Sequence, residues 1–111
     1  MSMTTATFYR DAHGITGFEV TGHTDYSEAG SDIVCSAVSA VAQTTVIGLK
    51  ETAYLEVLVQ MEEGRLACRL PAFSPQQARV NASILFETML LGLKNIAGQY
   101  PEHVKVIEKE V

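Results

Sequence analysis

The feature that most limits what this chain can fold into is its alternation of strand pairs with helical segments. Residues 5–10 and 15–21 are rich in threonine, aromatic and β-branched types, and Asp11, His13 and Gly14 between them are turn formers. Two such runs on either side of a short turn predict a β-hairpin.

A second hairpin is predicted over residues 54–61 and 65–70, joined by an acidic turn that ends at Gly64. Apolar and polar side chains alternate along its second strand, as in a half-buried strand. This alternation turns Cys68 towards the core. We therefore expect a packed thiol there, whose pKa is raised by burial.

A helical pattern follows each hairpin. The first runs from Asp32, the predicted N-cap, to about residue 52, with apolar residues recurring three or four positions apart. The second runs to about residue 97 and starts with a predicted capping box of Ser74, Pro75 and Gln77.

A last short strand is predicted at residues 104–108, after Gly98 and Pro101 end the second helix. The order strand, strand, helix, strand, strand, helix, strand predicts an α+β fold. In this fold two helices pack on a mostly antiparallel sheet of about five strands. With 111 residues and no linker in the sequence, we expect one domain over residues 1–111.

Charge and hydropathy narrow the classes of partner. Eight Lys and Arg against thirteen Asp and Glu give a net charge of −5, and the basic residues are dispersed, so no nucleic-acid partner is expected. The apolar stretches are interrupted by polar residues, well below the roughly 20 apolar residues that span a bilayer. The N-terminus has no signal sequence pattern. We expect no membrane partner and a cytoplasmic location.

The residues that carry chemistry lie between the first hairpin and the first helix. Residues 22–39 read GHTDYSEAGSDIVCSAVS, which places His23 at a strand end, a polar loop at 24–31, and Cys35 in the first predicted helical turn. Unpaired N–H groups and the helix dipole at that position favour a thiolate and an oxyanion. Because a neutral imidazole can accept the thiol proton, the pattern predicts a nucleophile and base for acyl transfer.

Each of these residues also has a structural explanation. A cysteine in a core-packed helix is more often a small apolar residue than a nucleophile, and a histidine at a strand end is more often solvated or hydrogen-bonded. Asp32 caps the helix under either interpretation. The spacing of His23, Asp25, Asp32 and Cys35 matches no familiar zinc pattern, so neither a metal nor a cofactor is expected.

The same stretch closely resembles the signature of the ribosomal-processing cysteine protease family, Prp. That signature is Gly-His, a variable loop, then Gly-x-Asp-Ile-Val-Cys followed by small residues, Val and Ser. Here it reads Gly22-His23 and, from Gly30 onward, GSDIVCSAVS. Length, element order and the pair Tyr100-Pro101 also match, so the resemblance covers the full chain.

The resemblance implies that Cys35 is the nucleophile and His23 its base, with Asp32 a candidate third member that orients the imidazole. An extended peptide is expected in a groove covered by the loop at 24–31. Four neighbouring residues are expected to shape this loop and the substrate site: Gly22, Gly30, Ser36 and Ser39. One departure from the family pattern is Thr24, where alanine is expected next to the base.

The family removes a short N-terminal extension from large-subunit ribosomal protein number twenty-seven and cuts after an aromatic residue. The resemblance also implies that the protein forms a homodimer. The resemblance therefore implies two partners, the ribosomal-protein precursor peptide and a second copy of the chain. Two other functions stay open: a non-catalytic ribosome-assembly module that binds the same peptide, and a thiol redox sensor in which Cys35 is reversibly oxidised.

Overall fold

The computed structural model describes the backbone of residues 3–22 and 29–111, and the side chains of 3–22 and 33–111. Its elements follow the predicted order: β1 (Thr4–Asp11), β2 (Gly14–Thr21), α1 (Ala29–Ile47), a π-helical segment (Gly48–Thr52), β3 (Leu58–Glu62), β4 (Arg65–Arg69), α2 (Gln76–Gln99) and β5 (Val104–Glu110).

The five strands form one sheet in the order β3-β4-β2-β1-β5. All neighbours are antiparallel except β1 and β5, which pair in parallel with Thr4 opposite Val104. A parallel neighbour needs a long connection, and α2 provides it by carrying the chain from β4 to the far edge of the sheet. The predicted α+β fold with a mostly antiparallel sheet and two helices is confirmed.

The core lies between the sheet and the two helices. Three aromatic rings from β1, β2 and α2 meet at its centre, where Phe18 lies 6.1 Å from Phe8 and 6.0 Å from Phe86 between ring centroids. Both pairs are tilted or edge-on, the arrangements that aromatic quadrupoles favour. Val34 and Val38 of α1 are buried in the same core, which fixes the face that α1 turns to the sheet.

The start of α1 differs from the prediction. The helix begins at Ala29, so Asp32 is its fourth residue and is not the N-cap. The stretch predicted as loop at 24–31 therefore ends earlier, since Ala29–Ser31 is helical and 24–28 lies outside the described residues. The apolar period starts only at Ile33, and the sequence pattern did not detect the turn of small and polar residues before it.

The start of α2 also differs from the prediction, because the capping box is not formed. Pro75 is the N-cap and makes no side-chain capping bond. The Ser74 hydroxyl instead donates to the Pro71 carbonyl at 2.7 Å, and the Gln77 amide donates to Asn81 at 3.0 Å. A left-handed residue, Phe73 with φ 65°, turns the chain just before Ser74 and separates the hydroxyl from the helix start.

Strand β3 is shorter than predicted. Tyr54 has a left-handed backbone with φ 56°, and the N–H of Leu55 donates to the carbonyl of Leu49 at 2.8 Å. These contacts extend the end of the helical segment into residues predicted as strand. The strand therefore begins at Leu58, as the edge of the sheet.

One segment, Ile33–Thr52, is long and apolar enough to cross a membrane, judged by its 20 residues and mean hydropathy of 1.5 alone. A core helix of a globular protein passes the same test. Val38, Ala42 and Leu49 within this segment are fully buried in the core. The buried face of this segment therefore accounts for part of its apolar composition.

Candidate active site

Cys35 is the seventh residue of α1 and is half-buried on the side of the helix that approaches β1. The hydroxyl of Thr4, at the start of β1, donates a hydrogen bond to Cys35 Sγ with an oxygen–sulfur distance of 3.3 Å. These two residues are 31 positions apart in the chain. The sheet therefore supplies a polar contact to the thiol that no local sequence pattern contains.

A cavity of about 640 Å³ opens beside Cys35, between α1 and the β3–β4 hairpin. Ser36 and Ser39 extend its wall along α1 from Cys35, and Thr4 contributes from β1. Both serines were predicted at the substrate site, and the structure places them beside the thiol. A cavity of this size falls in the range of small-molecule and peptide-side-chain sites.

The far wall of the cavity is apolar with a charged rim. Ile47, Met61 and Leu66 provide large apolar side chains. Glu62 and Arg65 also line the cavity and form an ion pair at 3.3 Å. The cavity therefore combines a thiol on one side with a surface suited to an apolar group on the other.

Gly22 ends β2 in a conformation that glycine alone adopts readily, with φ 105°. A Cβ atom at this position would lie 2.1 Å from the carbonyl oxygen of Met3, and the Gly22 N–H donates to the Gly64 carbonyl at 3.3 Å. Glycine is therefore required here so that the end of β2 can pass close to the strand that carries Thr4.

A sequence model of the cysteine protease Prp family matches residues 3–105 of this chain. The chain belongs to the Prp family of cysteine proteases. It is accordingly a cysteine-type peptidase, as the resemblance in residues 22–39 predicted.

Individual relatives and solved structures resemble this chain over most of its length. The ribosomal processing cysteine protease Prp of Bacillus subtilis (strain 168) is 34% identical over 95 residues, covering 84% of this chain and 85% of the relative. A crystal structure of a Streptococcus mutans protein superposes with a TM-score of 0.87 at 34% identity, covering 99% of this chain and 97% of the other.

The S. aureus protease Prp, crystallised with a substrate peptide, superposes with a TM-score of 0.85. It is 24% identical, over 96% of this chain and all of the other. This likeness shows a shared fold.

The structure describes the residues of the Prp signature unevenly. His23 lies outside the described residues, and of Gly30 and Asp32 only the backbone, in the first turns of α1, is described. Cys35 and Gly22 are described in full, Cys35 in the second turn of α1 and Gly22 directly after β2. Among the described residues, Cys35 and Thr21, the last residue of β2, line the same cavity.

Sequence reasoning placed Cys35 where unpaired helix N–H groups would favour its thiolate, and this prediction is wrong. Because α1 begins at Ala29, Cys35 lies nearly two turns inside the helix. Its own N–H falls within the i→i−4 pattern of the helix, and the dipole effect fades after the first turn. Contacts from outside the helix therefore matter more for this sulfur than the helix end does.

Sequence reasoning also missed Thr4. A threonine in a β-strand pattern carries no signal that distinguishes a partner of a thiol from an ordinary strand residue. Only the pairing of β1 in the middle of the sheet, with α1 packed above it, brings Thr4 to Cys35.

The other candidate side chains stay apart from this site. Cys68 is 2% exposed in the core, as predicted for a packed cysteine, and burial raises the pKa of its thiol to about 11. His13 is exposed, whereas His103 is half-buried with its Nδ1 enclosed and without a hydrogen-bond partner. Within the described ranges, no group of three His, Cys, Asp or Glu side chains is placed to hold a metal.

Proposed function

We propose that this protein is an endopeptidase that removes the N-terminal extension from the precursor of large-subunit ribosomal protein number twenty-seven. The observation that carries the proposal is Cys35 on the wall of a cavity of about 640 Å³. The name of the Bacillus subtilis relative, a ribosomal processing protease, supports the ribosomal substrate. The peptide bound to the S. aureus relative supports a peptide ligand.

In the proposed mechanism, Cys35 is the nucleophile and His23 the general base. The imidazole takes the thiol proton as Sγ attacks the scissile carbonyl, which forms a tetrahedral oxyanion. The C–N bond then breaks, the departing amine takes the proton from His23, and a thioester remains on Cys35. Water, deprotonated by His23, hydrolyses the thioester and restores the thiol.

Asp32 is proposed as the residue that orients His23. Because α1 begins at Ala29, Asp32 is not required as a helix cap. It lies three residues before Cys35, and residues three apart share one face of a helix. A carboxylate at this position would hold the imidazole in the tautomer that accepts the thiol proton.

The cavity beside Cys35 is proposed to hold the aromatic residue that precedes the cleaved bond. Ile47, Met61 and Leu66 supply an apolar wall against which an aromatic ring would lose its contact with water. The Glu62–Arg65 pair at the rim would contact the polar backbone of the peptide on either side. Gly22, Ser36 and Ser39 are accordingly proposed as part of the substrate site.

A homodimer in the cytoplasm is proposed as the working form, with one catalytic domain in each copy. The outer faces of the two helices carry exposed apolar side chains, among them Ile33 of α1 and Ile84 and Leu91 of α2. Apolar side chains grouped on one layer are typical of protein interfaces. Light scattering would then give about twice the 12.1 kDa mass of one chain.

Cleavage of a peptide that spans the ribosomal extension tests the proposed function. We expect mass spectrometry to show one cut after an aromatic residue with the wild-type protein, and at least about a 1000-fold slower cut with Cys35→Ala, because the nucleophile is removed. Cys68→Ala is the matched control, since its thiol lies in the core away from the cavity. It should retain the wild-type kcat/KM.

Each other outcome contradicts a defined part of the proposal. Cleavage at a different peptide bond would support peptidase activity but contradict the proposed substrate. Binding of an intact peptide, equal in wild type and Cys35→Ala, would indicate an assembly module. Reversible oxidation of Cys35 without cleavage would indicate a redox sensor.

A further inference from the structure

The position of Cys35 inside α1 raises the question of which group supports its thiolate. The helix end is nearly two turns away, and the described part of α1 after Cys35 contains no charged side chain. A thiolate in a half-buried position needs a hydrogen-bond donor or a positive charge nearby. The Thr4 hydroxyl, 3.3 Å from Sγ, is a contact of this kind.

Thr4 is held firmly by its surroundings. Its side chain is on the helix-facing side of β1, and the residue is only 5% exposed. Its backbone N–H donates to the carbonyl of His103 at 2.9 Å, and its Cα pairs with Val104 of β5. Because threonine is branched at Cβ, few rotamers are open to it in a strand. The hydroxyl is therefore fixed in place before any substrate binds.

We propose that Thr4 is a positioning residue for Cys35, whose hydroxyl donates to Sγ, holds the side chain towards the cavity and stabilises the thiolate. The proposal rests on the proposed function, in which Cys35 is the nucleophile. When the thiol proton passes to His23, Thr4 keeps its own proton and donates to a full negative charge. Hydrogen bonds to charged acceptors are roughly twice as strong as those between neutral groups.

The same end of β1 also meets the segment that leads to the proposed base. Gly22 passes so close to the carbonyl of Met3 that no Cβ fits between them, and His23 follows Gly22 directly. The start of β1 thus contacts the thiol through the Thr4 side chain and Gly22 through the Met3 backbone.

Other titratable groups near Cys35 are left unchanged by a substitution at Thr4. Glu62 and Arg65 face it across the cavity from the β3–β4 hairpin and are paired with each other. His103 directly precedes β5, and its carbonyl accepts from the Thr4 N–H. The charged residues outside the described part of the chain are the same in every variant. A difference in Cys35 reactivity between the variants therefore reflects the loss of the Thr4 hydroxyl.

The test is the rate of Cys35 alkylation by iodoacetamide as a function of pH, followed by peptide mass spectrometry. Thr4→Val removes the hydroxyl at nearly constant shape and should move the midpoint of the rate profile up by about one pH unit, a tenfold loss of thiolate below the midpoint. Thr4→Ser keeps the hydroxyl and should stay close to wild type. An unchanged midpoint in Thr4→Val would overturn the proposal.

Thr7→Val is the matched control for this experiment. Thr7 is a second buried threonine of β1, three residues along, and alternation turns its side chain to the opposite face of the sheet. Its substitution should leave the midpoint where it is, and an equal shift would mean a general effect on the strand. If Thr4→Val fails to fold by thermal melting, Thr4→Ala gives the same comparison with a smaller side chain.

Peptide cleavage in the same variants separates the two proposals. Loss of the hydroxyl should lower kcat/KM about tenfold below the midpoint, mainly through kcat, with recovery at higher pH. Cleavage by the wild type with no shift in Thr4→Val would overturn the role of Thr4 alone. A shift in alkylation without any cleavage by the wild type would overturn the proposed function while the thiol contact stands.

Discussion

Cys35 and Cys68 are chemically identical groups in two different surroundings. Cys35 lies on a helix, half-buried, with a hydroxyl donor at 3.3 Å and a cavity beside it. Cys68 lies on β4, 2% exposed, where its strand neighbours enclose it and burial raises the pKa of its thiol to about 11. The comparison shows that the fold gives Cys35 a polar partner and an adjoining cavity, whereas it encloses Cys68 in the core.

The most direct test of the difference between Cys35 and Cys68 is to alkylate both thiols in the folded protein at pH 8. A pKa of about 11 leaves roughly 100-fold less thiolate on Cys68 than an ordinary cysteine has, and burial adds a cost for opening the core. We therefore expect Cys35 to react at least about 100-fold faster. Mass spectrometry should count one label in native protein and two in guanidinium chloride. Equal native rates would refute the difference.

The raised pKa of Cys68 also predicts how stability depends on pH. The unfolded thiol, with an ordinary value near 9.0, loses its proton first, so between about pH 9 and 11 the folded state binds more protons and is destabilised as pH rises. The free energy of unfolding should fall by about 2 to 3 kcal/mol from this group. Denaturant melts of wild type and Cys68→Ala over this range should converge as the pH increases. Parallel curves for the two proteins would show that Cys68 is not the source of the pH dependence of stability.

A substitution at Gly22 tests how tightly the chain is packed beside the start of β1, which carries Thr4. Gly22→Ala would place a Cβ 2.1 Å from the Met3 carbonyl at a positive φ, and we expect it to cost about 2 kcal/mol of unfolding free energy. Gly92→Ala is the control, because nothing lies within 4 Å of a Cβ there and alanine favours a helix by up to about 1 kcal/mol. Thermal melting of both variants checks the signs. A neutral Gly22→Ala would mean that the strand end moves freely.

The sequence predicted most of the fold because hydrophobic periodicity is a local signal. The alternation around Cys68 placed it in the core, and both hairpins and both helices were found. The start of α1 was missed because Ala29–Ser31 extends the helix without a large apolar residue. The cap of α2 was missed because the turn at Phe73 redirects Ser74.

The sequence singled out Cys35 as the proposed nucleophile, but it did not indicate the surroundings of this residue. Cys35 stood out because the residues around it carry a dense signature. Thr4 did not, since its contact with Cys35 joins residues 31 apart and depends on α1 packing above the middle of the sheet. The cavity likewise needs β3 and β4 to be placed beside α1 before Met61 can face Ser39. Long-range packing of this kind has no local pattern.

The parallel pairing of β1 with β5 has a consequence for how this protein is made. Strand β1 is synthesised first, yet one of its two edges remains unpaired until Val104–Glu110 has emerged from the ribosome. The hydrogen bond from the Thr4 backbone to His103 forms only at that stage. A nascent chain therefore cannot complete the support beneath its thiol before Val104–Glu110 has been translated, so the surroundings of Cys35 are assembled only after β1–β4 have been made.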